Sequence, residues 1–205
     1  MHPLTPTRFT VLPEEKFSEL RASVQERLKS AATMAASEYF RSLLDPGISG
    51  LLSATLQHIR AHEGTIWLLN SSRDALVPRF STGSRADEYV GKFRQPLNAG
   101  LIGLVFHTEQ PLSENGVYQS ARHDKTLDLR LGLQTCAMIA VPLIFCGEER
   151  GVLSCSQSKP ATGDEPDPPG FTDDDLRAVQ LTTAAIGRLI EAKLLRLCIG
   201  LEGES

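Results

Sequence analysis

Among the residues of this 205-residue chain that could do chemistry are four cysteines, five histidines and its carboxylates. The cysteines, Cys136, Cys146, Cys155 and Cys198, all fall in the last third. A thiolate can act as nucleophile, redox couple or metal ligand. A zinc site would need closely spaced ligand pairs such as CxxC, and none of these spacings is of that kind. Cys146 and Cys155 sit near the ends of two apolar runs in AMIAVPLIFCGEERGVLSC, Ala137 to Cys155. The polar middle reads as a hairpin turn, GEER, which pairs Cys146 roughly with Gly151. Cys155 then lies about four residues further along its strand, ~13 Å away at ~3.3 Å per residue. A disulfide needs α-carbons within ~7 Å. Cys136 is further still, so the cysteines read as small buried hydrophobes. His58 and His62 are four apart on an expected helix and could share a face. No carboxylate–histidine motif accompanies them, and no metal is expected. Nucleophile–histidine–acid arrangements, a phosphate-cradling Gly-Lys-Ser loop and a defensible carboxylate pair are all missing, so no catalytic residues are expected and the chain reads as a non-enzyme.

Two places suit binding rather than catalysis. The helix start at Gly100, Leu101, Ile102 and Gly103 offers free backbone N–H groups to an anionic group, or its glycines serve only turn and packing needs. Tyr118 and the cluster Arg122, His123 and Asp124 lie in a polar segment that either closes over a ligand or is simply solvated. Met138 and Cys155 line the floor of such a pocket if their faces point forward; otherwise they fill the core.

The elements that position these residues follow from periodicity. Residues 1–12 hold two prolines and no period, and are expected to be an extended arm. From Pro13 to Leu44 apolar residues recur in steps of three and four (Phe17, Leu20, Val24, Leu28), which predicts one long helix. Asp45-Pro46-Gly47 ends it, and a second helix is expected from about Ile48 to Arg60. TIWLLN and LVPRFSTG, joined by SSRDA, read as a hairpin. FRQPLNAG and PLSE read as short strands, GLIGLVFHTEQ as a brief helix, and LDLRLGL as a helical turn. The run AMIAVPLIFC does not alternate with polar residues, so both faces of its strand are expected to be covered. Residues 159–170 lack large apolar side chains and read as a mobile surface loop. Thr172 is the expected N-cap of a closing helix with Asp173 to Asp175 in its first turn and Leu176, Val179, Ile186, Ile190 and Leu194 on its stripe. This order implies an α+β domain with the terminal helices on one sheet face and the mid-chain loops on the other.

Composition narrows the function classes. A net charge of −4 argues against a nucleic-acid surface, and no apolar run approaches the ~20 residues that span a bilayer. The N-terminal residues lack the charged and apolar regions of a secretory signal, so a cytoplasmic location is the expectation.

VPLIFCGEERGVLSCSQ, followed by FTDDDLRAVQLTTAAIGRLIEAKL, resembles the C-terminal half of a GAF domain. GTIWLLNSSRDALVPRFSTG and PLNAGLIGLVFHTEQPL are similar to the family's first hairpin and its Gly-x-x-Gly helix. The resemblance spans residues 45–198, with 199–205 as a tail. It implies a profilin-like antiparallel sheet of about five or six strands, helices behind it, and a small-molecule pocket in front. It also implies which subgroups fit. The free methionine sulfoxide reductases use thiolates ahead of the hairpin, one of them where this chain has Ile102; without them that chemistry has no attacking atom, and only Cys136 is left for a redox role. Covalent bilin binding needs a cysteine before the hairpin, and none precedes residue 136. The cyclic-nucleotide signature is partly matched, by Lys159, Phe171 and Asp175 but not by Ser158 and Leu176. Lys159 and Asp175 could equally form a surface pair.

The expected function is therefore a non-catalytic sensor or regulatory module, with no certain cofactor and an unidentified small-molecule ligand. Its helical stripes exceed what one domain face needs, so a homodimer is expected through Phe17, Leu20, Val24 and Leu28 with Leu176, Val179, Ile186, Ile190 and Leu194. Output would pass through an unidentified signalling protein. The alternatives are a redox enzyme related to the sulfoxide reductases and a purely structural dimerisation module.

Overall fold

The computed structural model describes residues 15–35, 40–162 and 164–200. The expected arm and the side chain of Phe17 lie outside the described residues. Where one helix is expected over 13–44, two helical stretches are described, α1 (Glu15–Ala35) and α2 (Phe40–Leu43). Asp45 does more than end a helix: its carboxylate accepts from Ile48 N at 2.9 Å, with Pro46 in the first turn, and so caps α3 (Pro46–His58). His58 closes α3 and His62 lies beyond it, where its Nδ1 hydrogen-bonds Ser158 of a strand. The two histidines therefore share no helix face.

The remaining elements are β1 (Glu63–Leu69), β2 (Ala75–Ser81), α4 (Ala86–Tyr89), β3 (Gln95–Pro96), α5 (Gly100–Thr108), β4 (Leu112–Asn115), a 3-10 turn at Val117–Gln119, α6 (Thr126–Leu131), β5 (Leu133–Phe145), β6 (Glu148–Pro160) and α7 (Asp173–Cys198). The strands form one six-stranded antiparallel sheet in the order β3-β2-β1-β6-β5-β4. On one face Ile66, Leu68, Ile139, Val141, Leu143, Leu153 and Cys155 pack under α3 and α7, with Ala32 of α1 and Phe40 and Leu43 of α2. On the other, Trp67, Leu69, Ala140 and Val152 pack under α4, α5 and α6. This is why β5 is apolar on both sides rather than alternating.

Local chemistry explains the joints. Thr172 and Asp175 form a capping box that starts α7, and the acids of its first turn complement the helix dipole. Gly187 lets α7 lie directly on β5, since a Cβ there would come within 2.2 Å of the Ile144 carbonyl oxygen. Thr55 and Thr182 hydroxyls meet at 2.7 Å and join α3 to α7 inside the core. The segment before α7 is tethered, not free: Asn115 accepts from Phe171 N at 2.9 Å and donates to Phe171 O at 3.0 Å, and Gly170 N donates to Gln157.

The β5–β6 turn is tighter than expected. Phe145 already faces Glu148, so only Cys146 and Gly147 turn the chain, both at positive φ (54° and 74°), the geometry of a type I′ hairpin. One step along, Leu143 faces Gly151 and Ile144 faces Glu149, leaving Arg150 as a bulge residue. Arg150 is buried and pairs with Glu148 at 3.0 Å. Burial, and then the nearby Glu109 charge, push the Glu149 carboxyl up to about 7, and one of its oxygens is buried with no hydrogen-bond partner among the described residues. A carboxyl raised in the fold holds a proton that the unfolded chain releases, so its contribution favours the fold below the ordinary value of 4.5 and fades as pH rises towards 7. Glu149→Gln is expected to raise the melting temperature at pH 8 by about 2–4 °C and to leave it unchanged at pH 4. Melts at the two pH values check this.

Candidate functional site

Between the sheet and its covering of short helices lies a small cavity of about 70 Å³. Its floor is β1, β5 and β6, which present Glu63, Thr65, Trp67, Met138, Ser154, Ser156 and Ser158. Its walls are Gln95, the start of α5 at Gly100, Leu101 and Ile102, the loop residues His123 and Asp124, and Asp128 of α6. The chain's one tryptophan sits in this floor, its Nε1 donating to Ser154 Oγ at 2.9 Å.

The lining is acidic and its polar groups are held in place. Asp128 accepts from His123 Nε2 (3.0 Å), from Thr135 N (2.9 Å) and from Thr135 Oγ1 (2.8 Å). Burial works against its ionisation, but these hydrogen bonds outweigh it and hold the carboxyl below its ordinary value. Asp124 is also held low, first by the Thr126 hydroxyl at 2.6 Å, with Gln95 Nε2 donating to it at 3.1 Å. Glu63 accepts from Thr65 at 2.9 Å, from Ser81 at 3.1 Å and from the Tyr89 hydroxyl. Burial and then the Glu63 charge push that phenol well above its ordinary range. Among the described residues three carboxylates thus border the cavity, and no lysine or arginine does.

Of the residues expected from sequence, Gly100, Leu101, Ile102, His123, Asp124 and Met138 come together here. Gly103 and Arg122 instead line an open groove of about 720 Å³ on the outer side of Gly100, His123 and Asp124. Gly103 is there for packing: a Cβ would come within 2.6 Å of the Leu97 carbonyl oxygen. Arg122 pairs with Glu114 at 3.2 Å. Tyr118 points away, donating to Asp167 at 2.8 Å. Cys155 is a correction. It faces the opposite side of the sheet, fully buried among the α3 and α7 contacts, because β6 alternates and its cavity face is taken by Ser154 and Ser156. Lys159 also pairs with Asp167, at 2.7 Å, and not with Asp175, whose carboxylate is engaged in the α7 cap.

Sequence reasoning missed Glu63, Trp67, Gln95, Asp128 and the three serines. A signal for the serines was present. SCSQS places a hydroxyl at every second residue of the strand, the mark of one face lined differently from the other.

A model of the GAF domain family matches residues 48–191, well over half of the chain. The chain belongs to the GAF domain family. No curated protein matches it. Among solved structures, this GAF domain is similar in fold to that of a phosphoenolpyruvate-protein phosphotransferase from Coxiella burnetii, at 15% identity and a TM-score of 0.59 over 88% of this chain and 98% of that one. The GAF domain of the Acinetobacter phosphoenolpyruvate-protein phosphotransferase is similar at 16% identity, with a TM-score of 0.57 over 93% and 99% of the two chains. A GAF domain/HD domain protein from Geobacter sulfurreducens gives 15% identity and a TM-score of 0.52 over 77% and 97%.

The four cysteines of this GAF domain are free, and none lines the cavity. Burial pushes the Cys155 thiol up to about 12, and burial followed by Glu191 pushes Cys146 up to about 11. Cys136 lies beside Asp167, 3.8 Å away, and is raised by burial and then by that charge. Cys136, Cys146 and Cys155 are thus shifted away from thiolate, the reverse of an activated nucleophile. Among the described residues no group of three or more potential metal ligands occurs, and no helix is long and apolar enough to cross a membrane.

Proposed function

We propose that this GAF domain is a non-catalytic sensor or regulatory module that takes a small polar molecule carrying positive charge, forms a homodimer through its terminal helices, and acts through a partner protein. The observation that carries the reading is the cavity, bordered by Glu63, Asp124 and Asp128 with no lysine or arginine among the described residues and floored by Trp67. A cation over an indole face and near carboxylates is favoured electrostatically. Size supports a ligand of a few heavy atoms: about 70 Å³ is well below the ~300–1,000 Å³ of ordinary ligand pockets. A cyclic nucleotide does not fit that space, and the signature lysine is engaged by Asp167.

Trp67 makes the test direct. Freshly purified protein is examined by native mass spectrometry, then titrated with a panel of small primary amines and amino acids while the indole emission is followed. A saturable emission change, lost in Asp124→Asn, supports the reading. A bare protein and an unresponsive Trp67 across the panel would overturn it in favour of a purely structural module, whose cavity holds only water.

The redox reading is tested separately. Turnover of free methionine sulfoxide with a thiol reductant is expected to stay at background in the wild type and in Cys136→Ser alike. A rate above background that Cys136→Ser abolishes would restore the enzymatic alternative.

Most of the residues expected at the dimer contact serve the chain's own packing. Val179, Ile186, Ile190 and Leu194 are at most 2% exposed and belong to the chain's own core, and Leu28 and Leu176 are packed against it. Leu20 is 59% exposed, and Leu181, Leu189, Leu195 and Ile199 are exposed along or just beyond α7.

A further inference from the structure

Gly100, His123 and Asp124 line both the cavity of about 70 Å³ and the open groove of about 720 Å³ outside it. The wall between the two spaces is therefore one residue thick. On the α5 side it is bare backbone: a Cβ on Gly100 would lie 3.1 Å from Asp124 Cβ and 3.2 Å from Gln95 Nε2. Gln95 joins the two sides, its Nε2 donating to Ala99 O at 2.9 Å and to Asp124 Oδ2 at 3.1 Å. Asp124 Oδ1 is held by Thr126 N and Oγ1, within its own loop. A neutral amide thus closes the wall on a carboxylate, where an ammonium group would make the stronger hydrogen bond. The two spaces differ in character. Carboxylates and hydroxyls dominate the inner one, whereas the groove presents Leu97, Ala99, Leu104 and Ala121. The groove's arginine, Arg122, is already paired with Glu114.

We infer that cavity and groove are two ends of one site, and that its ligand is a primary amine with an apolar tail. The ammonium head sits among Glu63, Asp124 and Asp128, and the tail passes between Gly100 and Asp124 to lie along the groove. The inference rests on the cation reading above and enlarges it: the few heavy atoms that the cavity admits are the head of the ligand, not all of it. Charge complementarity fixes which end goes in, because the carboxylates are inside and the apolar side chains outside. Size agrees, since the groove brings the site into the ~300–1,000 Å³ range of ordinary ligand pockets. The head enters by taking over Asp124 Oδ2 from Gln95, so binding and opening of the wall are one event.

The experiment titrates the full chain with straight-chain primary ammonium chlorides from methyl to hexyl, and with the alcohols of the same lengths, following Trp67 emission. The dissociation constant of the amines is expected to fall about two- to fourfold per added methylene, as burial of each in an apolar groove gives. The alcohols, which carry the tail without the charge, are expected to bind at least tenfold more weakly. Leu104→Gln makes the groove wall polar, and is expected to flatten the series, with the loss confined to the longer tails. Ala121→Gln, at an exposed position, asks the same question should Leu104→Gln fail to fold. A dissociation constant that is independent of tail length, or that rises with it, would overturn the inference and leave the cation reading standing. So would a gain with length that survives both substitutions, because the tail would then lie elsewhere. Alcohols that bind as tightly as the amines, or no emission change with any amine, would overturn the cation reading and this inference together.

Discussion

Gly151→Ala is expected to cost about 3 kcal/mol or more, the upper range for overpacking a filled interior, and to leave little folded protein. Gly151 lies on β6 opposite Leu68 of β1 and Leu143 of β5, with a strand on each side. A Cβ there would sit 1.8 Å from the Trp67 carbonyl oxygen, 2.9 Å from its carbon and 3.0 Å from Leu68 Cα. All three are backbone atoms, so no side-chain rotation relieves the overlap. Relief requires β1 to separate from β6, which breaks ladder hydrogen bonds and opens Trp67, Val152 and Leu153 to water. Urea melts compare the variant with Gly50→Ala, where a Cβ meets nothing within 4 Å and a helix-interior glycine is replaced by a better helix former. The first is expected to collapse in stability and the second to hold or gain. Similar midpoints for the two would refute the assignment of a backbone clash.

The second large effect is at Asp128. Asp128→Ala removes the acceptor for three hydrogen bonds and leaves His123 and Thr135 without it in a largely buried place. The expected loss is about 2–3 kcal/mol, in keeping with hydrogen bonds to a charged acceptor. The Asp128 carboxyl is held below its ordinary value of 3.8, so the fold binds its proton less readily than the unfolded chain does. Its stabilisation is complete above that ordinary value and drains away as pH falls through the folded one. Wild type and Asp128→Ala should therefore differ most at pH 7 and converge towards pH 2. Chemical melts at pH 7, 4 and 2 measure the gap. A gap that stays constant with pH would remove the charge from the explanation.

The architecture was legible wherever one strong pattern governed. Two apolar runs joined by a polar turn marked β1 and β2, period-3.6 spacing marked α7, and the unbroken apolar run of β5 announced cover on both faces, as the two cores show. What failed did so for identifiable reasons. Periodicity reveals that α7 has an apolar stripe, but not which stripe the body takes; the inner one, with Val179 and Ile190, belongs to the core. Nothing in GEER indicates that Cys146 adopts a positive φ, a conformation sequence usually marks with asparagine, aspartate or glycine. The cavity was half legible. Its near-sequence wall, Gly100 to Ile102 with His123 and Asp124, was singled out. Glu63 and Asp128 were not, because only tertiary structure brings the start of β1 and a turn of α6 to one space.

The strand order has a mechanical consequence. The sheet is two three-stranded meanders, β1-β2-β3 and β4-β5-β6, sewn together along one seam, β1 against β6. The cavity straddles that seam, with Thr65 and Trp67 from one meander and Ser154 and Ser156 from the other. A molecule seated there bears on both meanders at once and resists their shear. The strands that flank the seam are also those that lead to the helices behind: β1 follows α3 with only a short connection, and β6 is the last strand before α7. Load applied at the seam is therefore delivered to α3 and α7, which the Thr55–Thr182 hydroxyl pair couples to each other.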